Sequence, residues 1–407
     1  MDAAPSHGSA LLVTVSGRDR PGVTSALFTA LSGSDAAVAD VEQVVIRGRL
    51  VLGVLLTAAA SAQARVQAAL ESALGPLGME VEVSAVGAED RGHRRGRSHV
   101  TVLGHPLRPA AMAGIAGCVA DYGGNIDRIV RIARYPVTAV ELEVSGVDPV
   151  VLRRQLALTA AALGVDVAVE RAGLHRRAKR LVVMDVDSTL VQGEVIEMLA
   201  GHAGCAPEVA EVTERAMRGE LDFAESLRAR VRLLAGVPAA ALADVRRELV
   251  LARGARTFVR TLKRLDYRIA VVSGGFTQVT DALVADLGID YSAANTLEVV
   301  DGRLTGDLVG PLVDRAGKAA ALERFAAEAG VPVAQTVAIG DGANDLDMLA
   351  RAGLGIAYNA KTVVREAADA ALNVPYLDAI LFLLGISREE IEDADAAEGI
   401  QVETPPT

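Results

Sequence analysis

The stretch LVVMDVDSTLV, residues 181–191, is four apolar residues that run into two aspartates, Asp185 and Asp187, followed at once by Ser188 and Thr189. Leu181 to Met184 predict a short strand buried on both faces, and the polar residues after it predict a turn. Two carboxylates this close repel and disfavour each other's ionisation. A cation beside them would remove that cost. A helix-capping aspartate with a solvated neighbour is the other reading these residues allow.

Working outward, the same pattern returns three times downstream, as RIAVVSGG (268–275), QTVAIGDG (335–342) and GLGIAY (353–358), with helix-like stretches between. Apolar runs alternating with helices predict an α/β fold, a doubly wound parallel sheet with helices on both faces. Ligands of such sheets sit at the carboxyl ends of the strands. Those ends carry Asp185, Asp187, Ser273 and Asp341. Roughly 80 residues separate the first two strands, too many for a simple crossover, so a helical cap is expected over about 195–255.

Four signals therefore meet at one sheet edge: DVDST; SGGF (273–276), whose glycines let backbone amides approach an anion closely; Lys318 near the start of a helix; and GDGANDLDML, with Asp341, Asn344, Asp345 and Asp347. Several carboxylates in one cleft call for a cation, and Mg²⁺ suits oxygen ligands together with a phosphate. A serine hydroxyl, backbone amides and a lysine are donors for that phosphate. A carboxylate at a strand tip can attack phosphorus. Each residue keeps a plainer alternative: a turn serine at 273, a surface lysine at 318, a solvated charge at 347. His105, His175 and His202 have no matching partners and are expected not to be ligands.

The set DxDST…SGGF…K…GDGxND resembles the haloacid dehalogenase (HAD) superfamily of phosphatases, and within it the phosphoserine phosphatases, over about 200 residues. That resemblance implies Asp185 as nucleophile and Asp187 as general acid and base. It implies Mg²⁺ held by the Asp185 side chain, the Asp187 carbonyl and the Asp341 side chain, with Asp345 orienting the metal's surroundings. Ser273, Gly275, Lys318 and Asn344 would hold the phosphoryl group. In the cap, Glu194 would receive an ammonium, Met217 and Phe223 would form an apolar wall, and Arg230 would clamp a carboxylate. Arg228 and Arg232 flank Arg230, so solvation of all three stays open; Met217 and Phe223 at helical spacing also suit a plain core. The implied reaction is hydrolysis of O-phospho-L-serine to L-serine, the last step of serine biosynthesis.

The first 170 residues read as one βαββαβ unit used twice, with Val13-Thr14-Val15 answering Val100-Thr101-Val102. These ferredoxin-like units resemble ACT domains, modules that bind amino acids between paired copies. This implies an L-serine effector, a homodimer, and effector contacts near Gly17 and Gly104; an ordinary tight turn explains either glycine equally well. The second copy has GHPLRPA where the first has GRDRPG and lacks its acidic residue. The expected layout is residues 1–90 and 97–172 for the two ACT-like domains, 180–390 for the HAD-like domain, and a flexible acidic tail over 391–407.

Composition narrows the function classes. The net charge is −11 and aromatics are 3% with no Trp, against a nucleic-acid partner. No run of about 18 uncharged apolar residues occurs and the first residues do not read as a signal peptide, so no membrane span is expected. Two cysteines, in no metal or disulfide pattern, suit a cytoplasmic protein. Two rivals remain: a phosphotransferase passing the group to an alcohol such as homoserine, and an amino-acid sensor with a vestigial phosphatase half.

Overall fold

The computed structural model describes the chain apart from residues 1–9, 88–95, 174, 175, 177, 219 and 402–407 and the side chain of Met217; His175 therefore lies outside the described residues. The chain forms two compact units, residues 1–93 and 94–407.

In the first unit β1 (Ala10–Arg18), α1 (Val23–Leu31), β2 (Ala37–Ile46), β3 (Arg49–Thr57), α2 (Gln63–Leu74) and β4 (Met79–Val86) follow in order. The antiparallel sheet runs β2-β3-β1-β4. Alternation explains its layer. Leu11, Val13 and Val15 on β1 and Leu50, Leu52, Val54 and Leu56 on β3 point to one face, where Leu27, Leu31, Val66 and Leu70 of the helices cover them. The edge strand β2 is exposed along its whole length.

The second unit repeats the motif: β5 (Ser98–Gly104), α3 (Pro109–Asp121), β6 (Asn125–Ala133), β7 (Thr138–Ser145), α4 (Pro149–Leu163) and β8 (Asp166–Arg171). Next come β9 (Leu181–Met184) and the helices α5 (Val195–Ala203), α6 (Ala206–Met217), α7 (Phe223–Arg232), α8 (Ala241–Glu248) and α9 (Ala255–Arg264). β10 (Arg268–Phe276), α10 (Thr277–Leu287), β11 (Tyr291–Val300), β12 (Arg303–Val309) and α11 (Arg315–Glu328) precede β13 (Thr336–Gly340) and α12 (Leu346–Arg351). β14 (Leu354–Tyr358), α13 (Thr362–Ala367), β15 (Ala370–Leu372), α14 (Ile380–Leu383) and α15 (Arg388–Ala397) close the chain.

One sheet of 11 strands spans this unit, in the order β12-β11-β10-β9-β13-β14-β15-β8-β5-β7-β6. From β11 to β15 the neighbours are parallel, as the four apolar runs predict. All four residues of β9 are fully buried. Burying each is worth about 2 kcal/mol, which offsets the cost of holding charge at the strand's tip.

Two features depart from expectation. A β11–β12 hairpin extends the sheet and packs Leu297 and Leu304 into the core of the α5–α8 cap. The second βαββαβ module is also not separate from the parallel sheet. β8 pairs antiparallel with β15 at Ala168 and Ala370, and Asp166 accepts hydrogen bonds from the Asn373 backbone (2.7 Å) and side chain (2.6 Å). Arg153 bonds Asp369 nearby.

The expectation of a flexible tail from 391 is corrected. α15 is capped by Ser387 and Glu390 and buries Ile391. Asp395 is 3% exposed and pairs with Arg260 (2.7 Å) and Arg264 (2.6 Å). Acidic composition suggested disorder; matching arginines on α9, about 130 residues earlier, supply the missing partners.

Candidate active site

The site grows from the carboxyl ends of β9, β10 and β13, which open on a cleft of about 690 Å³ beneath the cap. Asp185 leaves β9 with its Oδ1 accepting the Val186 amide (2.7 Å) and its Oδ2 2.7 Å from the Lys318 ammonium. The backbone then turns sharply: Ser188 has φ +56°. Asp187, the residue before this turn, is held from two sides. Its Oδ1 accepts the Val195 amide at the start of α5 (2.8 Å), and its Oδ2 accepts the Ser273 hydroxyl (3.0 Å).

Ser273 ends the straight part of β10, and its oxygen accepts the Gly275 amide at 2.7 Å. A Cβ at Gly275 would lie 2.9 Å from both Asp187 Oδ2 and Ser273 Oγ, so only glycine lets the loop come this near. At the tip of β13, Asp345 accepts the amides of Asp341 (3.1 Å) and Gly342 (2.9 Å) on one oxygen and Lys318 (2.7 Å) on the other. A Cβ at Gly340 would meet the Asp345 carboxyl carbon at 2.4 Å. Lys318 is fully buried between Asp185 and Asp345.

Carboxylate oxygens of Asp185, Asp341 and Asp345 lie within 4.8 Å of one another. Burial, then the charge of Asp345, pushes the Asp185 carboxyl well above its usual range against the pull of Lys318. Burial likewise raises Asp187. Asp341 is pushed up to about 6 by burial and by Asp345, and Glu194 to about 7 by burial and by Asp187 and Asp341. Lys318 is held protonated by its two carboxylates in spite of burial. An excess of buried negative charge next to cleft-facing oxygens fits a divalent cation.

On the cap side, Glu194, Phe223 and Arg230 line the same cleft as Asp185, Gly275, Asp341 and Asn344. Arg230 Nε is buried with no hydrogen-bond partner among the described residues, and burial lowers its pKa. The Phe223 ring sits over Gly274, where a Cβ would be 3.1 Å from its edge. Met217 ends α6, but its side chain lies outside the described residues. Asp347 stands apart, paired at the surface with Arg315 (2.5 Å), and His202 pairs with Glu248. Gly17 and Gly104 pack against Met79 and Leu107 of their own modules, a sufficient packing reason for glycine at both.

Three residues in or beside the cleft received no role from the motifs. Thr189, fully buried, donates to Asp341 Oδ1 at 3.0 Å. Arg315 and Lys361 also line the cleft. Lys361 lies three residues beyond the end of β14, so the strand-end rule applied to the fourth run points to its neighbourhood.

Comparison with known proteins agrees with this geometry. A haloacid dehalogenase-like hydrolase family model matches residues 182–350, and two ACT domain models match 9–84 and 97–170. The phosphoserine phosphatase of Streptomyces coelicolor is 61% identical over 386 residues, covering 95% of this chain and 94% of the relative. Phosphoserine phosphatase SerB2 of Mycobacterium tuberculosis is 54% identical, covering 95% of this chain and 96% of its own. The unliganded crystal structure of a probable phosphoserine phosphatase from Vibrio cholerae is similar at a TM-score of 0.57 and 35% identity, over 74% of this chain and 90% of that one. The β9 strand tip, the SGG loop, the buried lysine and the GDG loop thus belong to an enzyme: the chain is a member of the phosphoserine phosphatase family of HAD-like hydrolases, with two ACT domains ahead of the catalytic fold.

Proposed function

We propose that this chain hydrolyses O-phospho-L-serine to L-serine and phosphate through a phosphoryl group carried on Asp185. The observation that carries the substrate is Arg230. A guanidinium nitrogen buried without a partner among the described residues, in one cleft with Glu194 and the carboxylate cluster, is a donor suited to a carboxylate. Glu194 receives the ammonium of the same amino acid, and Phe223 borders its short apolar part.

HAD phosphatases generally use Mg²⁺, and the oxygen-only donor set here fits it. The side chains of Asp185 and Asp341 and the carbonyl of Asp187 would hold the ion, with Asp345 fixing the Asp341 loop. When bound, it neutralises charge on the phosphoryl oxygens. Lys318, Ser273, the Gly275 amide and Asn344 orient the same group.

In the first step an Asp185 oxygen bonds to phosphorus and the bond from phosphorus to the serine oxygen breaks. Asp187 gives its proton to that leaving oxygen; burial raises its pKa, which favours the proton-carrying form this role needs. In the second step Asp187 takes a proton from water, the water oxygen bonds to phosphorus, and the bond to Asp185 breaks. The deciding experiment is phosphate release across phosphorylated amino acids and sugars, with and without Mg²⁺. Preference for phosphoserine supports the reading, and a sugar phosphate turned over faster refutes it. Transfer to homoserine in place of phosphate release would favour the phosphotransferase.

The ACT modules supply regulation by L-serine and pairing into a homodimer in the cytoplasm. Support for pairing comes from edge strands: β2 exposes Val38, Val41, Val44, Val45 and Ile46, and β6 exposes Ile129 and Val130. Serine should change turnover of the full chain and not of residues 94–407 when the first module carries the effector site. A monomer at micromolar concentration would refute the pairing.

A further inference from the structure

We infer that Thr189 is a positioning residue that limits Asp341 to one ligand oxygen and so sets the preference of the site for Mg²⁺ over Ca²⁺. The inference rests on the divalent-cation reading above and concerns a residue that reading does not use.

The geometry is specific. Thr189 lies two residues beyond Asp187 on the turn that follows β9, and it is fully buried. Its hydroxyl donates to Asp341 Oδ1, 152 positions away in sequence, at 3.0 Å. The Asp341 amide is held separately, by Asp345 Oδ2 at 3.1 Å. Backbone and one carboxylate oxygen of Asp341 are therefore both fixed, while Oδ2 accepts no hydrogen bond among the described residues and the side chain faces the cleft. A β-branched residue suits this task because its χ1 is stiff and its buried methyl locks the hydroxyl's direction. Serine would supply the donor with more freedom, and valine the shape with no donor.

The consequence concerns coordination number. Mg²⁺ takes six oxygens in near-ideal octahedral geometry and uses carboxylates through one oxygen. Ca²⁺ accepts six to eight ligands and readily takes both oxygens of one carboxylate. With one lone pair of Oδ1 taken by Thr189, Oδ2 is the oxygen of Asp341 left without a partner among the described residues, which favours ligation through that oxygen alone. Removing the Thr189 hydroxyl frees an oxygen that Mg²⁺ does not need and Ca²⁺ can use.

The test uses the full chain as Thr189→Val, with Thr189→Ser as the conservative variant. Thermal midpoints are titrated with Mg²⁺ and, separately, with Ca²⁺, so the readout is ion binding and not turnover. Removing a partner of a ligating carboxylate costs roughly 10–100-fold in metal affinity. Thr189→Val is expected to weaken Mg²⁺ by at least about 10-fold while Ca²⁺ holds or tightens, and Thr189→Ser is expected to keep the original ratio. If Thr189→Val does not fold, Thr189→Ala, which also deletes the donor, carries the same expectation. An unchanged Mg²⁺-to-Ca²⁺ ratio in the donor-less variants overturns the inference, as does an equal drop in Thr189→Ser. Failure of Mg²⁺ to shift the unsubstituted chain overturns the cation reading of the whole site instead.

Discussion

Replacing Asp341 with asparagine should make the metal-free protein more stable while abolishing its turnover. Burial and the neighbouring Asp345 lift the Asp341 carboxyl from 3.8 to about 6. A group that titrates higher in the folded than in the unfolded chain binds more protons when folded between those two values. Stability therefore falls as pH rises from about 4 to about 6 and stays reduced above that. Each pKa unit carries about 1.4 kcal/mol, so ionised Asp341 costs the metal-free fold about 3 kcal/mol at pH 7.5. Asparagine carries no charge, and its Oδ1 still accepts from Thr189. For a catalytic unit of this size the gain corresponds to a melting temperature higher by roughly 5 °C. The assay is thermal unfolding in chelator at pH 7.5 and pH 4, then in Mg²⁺ at pH 7.5. The advantage should vanish at pH 4, where the folded carboxyl is already protonated, and Mg²⁺ should stabilise the unsubstituted chain far more than the variant. A variant melting at or below the unsubstituted chain at pH 7.5, or gaining equally at pH 4, would refute the view of Asp341 as a charge kept in wait for a cation.

Asp185→Asn is expected to remove phosphate release to the detection limit and leave the far-ultraviolet circular dichroism unchanged, because Asn can still accept the Val186 amide and Lys318 keeps Asp345. Arg230→Ala should raise KM for phosphoserine by about 10–100-fold, the worth of a charge-assisted hydrogen bond. It should barely alter turnover of phosphoethanolamine, which lacks the carboxylate, and competition kinetics with both esters checks this. Glu194 titrates near 7, and only its ionised form attracts an ammonium. Accordingly kcat/KM for phosphoserine should fall as pH drops through about 7 and below, and the pH profile of Glu194→Gln should lose that limb.

Much of the fold was legible because its signals are local. β9, β10 and β13 each announce themselves as an apolar run ending in Gly, Asp or Ser, β14 as an apolar run before Asn359, and the two βαββαβ modules repeat with the same order of elements. What stayed hidden depends on partners distant in sequence. The acidic segment around Asp395 looks disordered until Arg260 and Arg264 are seen beside it. The β11–β12 hairpin carries only moderate alternation and gains its stability by packing against the cap. The motif residues gather in one cleft, but spacing does not show that Lys318 bridges Asp185 and Asp345 or that Thr189 reaches Asp341. Those contacts follow from strand order, which brings β9 between β10 and β13.

The pairing of β8 with β15 has a consequence for how this protein is made. Ala168 and its partner Ala370 are 202 positions apart (370 − 168). At about 5–20 residues per second, the ribosome needs about 10–40 s to deliver the second once it has delivered the first. Throughout that interval the newborn module carries an open strand edge, the kind of surface on which nascent chains clump. β8 is only six residues long, so the edge offered while it waits is short.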